Sequence, residues 1–285
     1  MNVYEIVTER IIQLVKEKGH LPWQRPWKAG EAFPANLERP DKPYQGINFW
    51  ILMSQGYKSP YWITAKQAKR LGGRVNSEDW KKSTLVVFWK MFDEKNTDGS
   101  IKKRTPVLRY YYVYNVEQTT GLEKHIPNTE QTAPENFNPI EECERILSEM
   151  PMSMEMVRYG FNHACYKPFF DQIEMPSKES FNGIEEFYST LFHELSHSTG
   201  HETRCDRKDA FGAGFGSEKY SKEELVAEIS TCFLCHKTGI DNKTINNSAA
   251  YIGSWLKRLQ DDPRMIVFAA SAAQKATDYI LNKKP

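Results

Sequence analysis

One short run in this chain has the residue types and spacing of a metal-hydrolysis site: His193-Glu194-Leu195-Ser196-His197. On a helix, side chains four apart rise from one face, their Cβ atoms about 5–6 Å apart, so two imidazoles can meet one zinc ion at about 2.0–2.1 Å. Glu194, next to the first histidine, then faces the same ion. Zinc brings the pKa of a bound water toward about 7, and a neighbouring carboxylate can take its proton as the oxygen attacks a carbonyl. The expected chemistry is peptide hydrolysis, with His193 and His197 as metal ligands and Glu194 as general base.

The helix that must carry the motif is marked by Asn182 and Glu185, an N-cap with a third-position acid, and by Gly200 as its stop. A catalytic zinc needs a third protein ligand, for which His201, Glu224 and Glu228 are available. His201 follows His197 by four residues and lies beyond a glycine, whereas the metzincin pattern places its third histidine six residues on. Ser221-x-x-Glu224 reads as a capping box opening a second helix, whose apolar face of Leu225, Ile229, Cys232 and Phe233 runs toward Gly239. Glu224 then already has a structural task. Glu228 sits one turn deeper in an apolar helix, where an ionised carboxylate is costly unless a cation or donor meets it. Glu228 is therefore the expected third ligand.

Two other patterns carry less. Cys232-x-x-Cys235-His236 matches a haem-attachment spacing but falls in the apolar run of that second helix, so its cysteines read as small buried hydrophobes. Gly212, Gly214 and Gly216 alternate without a preceding strand, which reads as a loop near the site and not as a phosphate cradle.

Composition alone looks ordinary: 285 residues, 40% hydrophobic, 26% charged and a net charge of +1. Such a length suggests two domains, each able to bury a core. The balance conceals an asymmetry. Residues 1–115 hold 20 Lys and Arg against 11 Asp and Glu, a charge of +9, which leaves −8 for the remainder. Six of the seven tryptophans lie in the basic part. Cationic groups attract phosphates, and aromatic faces stack on unpaired bases at about 1–3 kcal/mol each, so this module suits single-stranded nucleic acid. No helix-turn-helix or finger pattern suggests a duplex reader.

The elements of the basic module can also be read. Apolar residues at helical spacing predict an amphipathic helix over 2–18, stopped by Gly19, and LPWQRPW (21–27) reads as extended because of its two prolines. Thr64 and Gln67 form a capping box for a short helix ended by Gly72-Gly73. The β-rich runs Leu85–Phe92 and Val107–Val116 predict a hairpin with a long charged loop. Five scattered cysteines do not form a disulfide framework, no apolar run reaches a membrane span, and the first residues lack a signal-peptide pattern, so a cytoplasmic protein without a membrane partner is expected.

Across nearly its whole length the chain resembles the ArdC-type antirestriction proteins of plasmids and other mobile elements. The resemblance is carried by LPWQRPW, KPYQGIN (42–48), SPYWITAKQAKRLGGRV (59–75), STLVVFWK (83–90), YNVEQTTGL (114–122), TLFHELSHSTGH, FGSEKYSKEELVAEI (215–229) and AASAAQKATDYIL. It implies a two-domain α+β protein: a single-stranded-DNA-binding domain of mixed helix and antiparallel sheet over 1–125, a linker over 126–139, and a zincin-like metallopeptidase domain with an HExxH helix over 140–285. It further implies one catalytic zinc held by His193, His197 and Glu228, with Glu194 as base, and the protection of incoming DNA from host restriction. Candidate DNA contacts are Trp23, Arg25, Trp27, Tyr44, Trp62, Lys66, Arg70 and Arg74. The partners expected are single-stranded DNA and a protein substrate, with the host restriction system as its candidate source. A second reading keeps the DNA-binding role and makes the metal site structural or vestigial. A module at +9 argues against the acidic mimicry of DNA that some antirestriction proteins use.

Overall fold

The computed structural model describes residues 1–24, 32–96, 100–127, 137–207, 218–240 and 249–283. The chain forms two compact α+β units, and the division is not a single cut. One unit is Met1–Leu14 with Ala32–Thr129, and the other is Val15–Glu31 with Glu130–Pro285. Residues 15–31 thus group with the C-terminal unit, whereas the sequence places them in the N-terminal domain. Arg25, Trp27, the three alternating glycines and most of the expected linker lie outside the described residues.

The chain opens with α1 (Val3–Lys18), whose residues up to Leu14, with Val7, Ile11 and Leu14 buried at helical spacing, belong to the first unit, and Gly19 ends the helix with φ of 73°. Then follow β1 (Ala35–Asn36), β2 (Arg39–Pro43), α2 (Ile47–Met53), β3 (Tyr61–Ile63), α3 (Ala65–Arg70), β4 (Arg74–Val75), β5 (Thr84–Lys95), β6 (Ile101–Asn115) and β7 (Thr119–Thr120). Five strands form one sheet in the order β2-β1-β3-β6-β5, with β1 and β3 parallel and the other neighbours antiparallel. The capping box at α3 forms as expected: Thr64 Oγ1 accepts from Gln67 N–H at 3.2 Å, and Gln67 Oε1 accepts from Thr64 N–H at 2.9 Å. Gly72, at φ of 84°, supplies the left-handed stop.

The hairpin is longer than the sequence suggests and its turn correspondingly shorter. Cross-strand pairing runs from Thr84↔Val113 to Lys95↔Ile101, and Asn96 N–H donates to Ser100 O at 2.8 Å. Near the sheet, Val86 and Val113 pack with Trp62 and Leu52. Beyond Val87 most of the arm opens to solvent on both faces, with Leu108 still buried, and the in-out alternation that burial of one whole face would impose is lost.

In the second unit, α4 (Pro139–Glu149) is capped by Asn138 and followed by β8 (Val157–Tyr159), β9 (Cys165–Lys167) and β10 (Gln172–Met175), a three-stranded sheet in the order β8-β10-β9. Helices α5 (Ile184–Ser198), α6 (Glu218–Thr238), α7 (Ala249–Asp261) and α8 (Met265–Ile280) complete it. Phe187, Leu191, Phe192 and Leu195 of α5 join Ile173 and Met175 of the sheet and Leu234 and Cys235 of α6 in one core. Cys232, Cys235 and His236 are all buried in α6, as a packed helix face requires. Among the described residues no helix is long and apolar enough to cross a membrane.

Candidate metal centre and nucleic-acid face

Helix α5 holds the HExxH residues on its last two turns. Its start differs from expectation: Gly183 occupies the cap without a side-chain bond, and Glu186 reaches back to accept from Asn182 N–H at 2.9 Å. His193 and His197, one turn apart, bring their Nε2 atoms to 3.1 Å. Glu194 is buried at 7% exposure on the same turn as His193, whose imidazole lies within reach of its charge.

The carboxylate that meets the two imidazoles is Glu224, not Glu228. Glu224 Oε1 lies 3.2 Å from His193 Nε2, and its Oε2 lies 3.8 Å from His197 Nε2. The reason is the start of α6. The helix already runs from Glu218, so Ser221 is an interior residue and no capping box engages Glu224. Glu228, a turn further on, faces Trp23, whose Nε1–H donates to Oε2 at 3.1 Å; the Trp23 carbonyl accepts from the Cys232 thiol. Burial, reinforced by the charge of Glu224, pushes the Glu228 carboxyl up to about 8. Glu228 thus meets a donor in place of a cation.

Electrostatics separates the two acids. Burial works to raise the Glu224 carboxyl, but the hydrogen bond and charge of His193, then His197 and the Tyr220 hydroxyl, outweigh it and hold the group at about 2. His193 shows the counterpart, drawn up to about 9 by Glu224 against the effect of burial. A tetrahedral zinc with bonds of about 2.0–2.1 Å separates its ligand atoms by about 3.3 Å. The observed spacings lie within half an ångström of that, and two imidazoles plus an ionised carboxylate are a donor set suited to a divalent ion.

Sequence reasoning missed the support behind the ligands. Glu223, adjacent to Glu224 and buried, places Oε1 3.4 Å from His197 Nδ1. Arg207 holds that carboxylate through two bonds, Nη2 to Oε1 at 2.8 Å and Nε to Oε2 at 3.0 Å, and also donates to Thr199 Oγ1 and Ser196 O. A histidine whose Nδ1 faces a fixed carboxylate presents Nε2 to the centre.

Two family models match this architecture. Residues 1–114 match the N-terminal domain of the anti-restriction factor ArdC, and residues 141–272 match a zincin-like metallopeptidase. The metal-free crystal structure of antirestriction ArdC protein from the R388 plasmid is 32% identical, with a TM-score of 0.75 and 100% of both chains covered. The chain belongs to the ArdC family. The Mn(II)-bound structure of the same R388 ArdC protein is 34% identical over 99% of this chain and 98% of that one, with a TM-score of 0.76. A DNA primase TraC of Escherichia coli is 37% identical over 98% of this chain, which spans only 20% of that protein's length.

The ArdC-family DNA contacts expected from sequence fall into unlike surroundings. Trp23 and Trp62 are 0% and 2% exposed, each packed on all sides, and offer no ring face to a base. Tyr44 is half-buried against the core that contains Trp62. Lys66, Arg70 and Arg74 are exposed, but Arg70 is paired with Glu38 at 2.5 Å. The hairpin arm carries the open aromatics instead. Cross-strand register places Phe88, Lys90 and Phe92 of β5 on one face with Lys103, Arg109 and Tyr111 of β6. Phe88 is 43% exposed, and Lys90 and Arg109 lie 5.2 and 5.6 Å from the centre of the Phe92 ring. Arg104 and Lys102 are neutralised by Asp93 and Glu94, whereas Lys90, Lys103 and Arg109 have no carboxylate partner among the described residues. The runs LVVFWKMF and VLRYYYVYNV carried this signal: aromatics at consecutive positions are what a hairpin open on both faces displays.

Proposed function

We propose that this chain is an antirestriction protein with two activities: its basic unit holds single-stranded DNA, and its second unit hydrolyses peptide bonds in a protein substrate, with subunits of the host restriction system as first candidates. The observation that carries the reading is the convergence of His193, His197 and Glu224 beside a buried Glu194. These three residues would hold one zinc ion, which when bound polarises a carbonyl and lowers the pKa of water. Glu194 takes the proton from the attacking water and returns it to the leaving amine, the task of a general base and acid on one carboxylate. Glu223 and Arg207 keep the His197 ring turned so that Nε2 points inward. The Glu224 anion is favoured first by His193, then by His197 and the Tyr220 hydroxyl.

For DNA, the arm supplies ring faces at Phe88 and Phe92 and cations at Lys90, Lys103 and Arg109, a combination that binds a flexible strand with little base preference. Lys66 and Arg74 add positive charge on the same unit.

Glu194→Gln tests the reading. The variant is expected to keep its metal, to lose hydrolysis of an unfolded protein substrate by about 10²–10⁴-fold, and to lose protection of plasmid DNA entering a restricting recipient. Full protection by Glu194→Gln would assign antirestriction to DNA occupancy alone, with the metal centre serving structure.

A further inference from the structure

We propose that the second unit carries another metal site, built on β9 and β10 from His163, Cys165 and Glu174, which takes zinc or a similar borderline-soft divalent cation. Strand register creates it. Cys165 and Glu174 are direct cross-strand partners, so both project from one face of the sheet, and His163, in the bend that leads into β9, turns its ring to the same carboxylate. Glu174 Oε2 is 2.9 Å from His163 Nε2 and 3.7 Å from Cys165 Sγ. All three ligand atoms lie within 4.8 Å of one another. Tetrahedral zinc, with bonds of about 2.0–2.2 Å to nitrogen and oxygen and about 2.3 Å to sulfur, asks for separations of about 3.4 and 3.6 Å for these two pairs.

The histidine ring is held in place from both sides. His163 Nδ1 lies 2.9 Å from Asn162 Oδ1, a contact that fixes the ring plane, and its Nε2 faces the Glu174 carboxylate. A thiol beside them selects zinc over manganese, magnesium or calcium, which prefer all-oxygen sites. Lys167, its ammonium 3.6 Å from Glu174 and its side chain 43% exposed, holds the place of the cation and swings out when one binds.

The test uses the full-length chain and cobalt(II), then zinc. The HExxH centre contains no sulfur, so a thiolate-to-cobalt charge-transfer band in the near ultraviolet reports the new site. The band is expected in the unaltered protein and in Glu224→Gln, and is lost in Cys165→Ser and His163→Ala. Bound zinc should fall from two equivalents per chain to one in Cys165→Ser, and Lys167→Met should bind the second equivalent more tightly. His163 is half-exposed, so its alanine variant keeps the test valid should the serine variant misfold. Absence of the band, its persistence in Cys165→Ser, or unchanged zinc content in both variants would overturn the proposal.

Discussion

Replacing Glu228 by glutamine should stabilise the second unit at neutral pH and leave it unchanged near pH 4.5. In the folded protein burial raises this carboxyl from 4.5 to about 8, with the charge of Glu224 adding to the shift and the Trp23 bond partly offsetting it. A raised acid pKa means that the folded state keeps a proton the unfolded chain releases. Its stabilising contribution is therefore complete below pH 4.5 and is lost as pH rises to 8, at about 1.4 kcal/mol for each pH unit. At pH 7 the accumulated cost is about 3 kcal/mol. Glutamine fills the same volume, accepts the Trp23 Nε1–H through its carbonyl, and releases no proton in either state. Melting of chelator-treated wild type and variant between pH 4.5 and 8 should show curves that coincide at the acid end and diverge by about 6–12 °C at pH 7 for a unit of this size. A difference independent of pH, or a less stable variant at pH 7, would refute the reasoning. The same variant should keep its full metal content, because Glu228 bonds an indole and not the imidazole pair; loss of the metal would restore Glu228 as a ligand.

Glu224→Gln should abolish metal binding at the HExxH centre, measured as metal equivalents after dialysis, because the amide removes the anion of the triad. Arg207→Ala or Glu223→Gln should weaken metal affinity by about 10–100-fold while the protein stays folded, since both act through the orientation of His197; competition with a chelator measures it. Truncating Phe88 or Phe92 to alanine should cost about 1–3 kcal/mol in binding an oligonucleotide if each ring stacks on a base, whereas Arg109→Ala should flatten the salt dependence of binding. Thr64→Ala should lower the stability of the first unit by about 1 kcal/mol in a urea titration, through loss of the α3 cap.

What could be read in the sequence followed from local rules. The HExxH helix, the amphipathic α1 with its Gly19 stop and the Thr64 capping box depend on residues within one or two turns of each other, where periodicity and cap chemistry speak directly. The sequence points to Glu228 as third ligand, whereas Glu224 is the carboxylate beside the imidazoles, and the difference has a local cause. A serine three residues before a glutamate is the same pattern whether it opens a helix or lies inside one, and α6 begins a turn before it. Glu223 escaped notice because its partners, Arg207 and His197, stand 16 and 26 residues away. Its neighbours in LPWQRPW make Trp23 read as a DNA contact, but an indole that stacks on a base and one that fills a core look alike in a sequence; only the distant Glu228 distinguishes them.

That indole also sets the order in which the protein can finish folding. Trp23 leaves the ribosome early, yet the carboxyl that receives its N–H is 205 residues later. At about 5–20 residues per second, synthesis leaves it uncovered for about 10–40 s. The first unit, whose last residue is Thr129, can be complete in that interval. The second unit cannot close until both ends of its discontinuous chain exist. A fragment started at residue 140 to isolate the peptidase half would lack the Trp23 side chain over Glu228, so separating the two activities requires substitutions in the intact chain and not scissors.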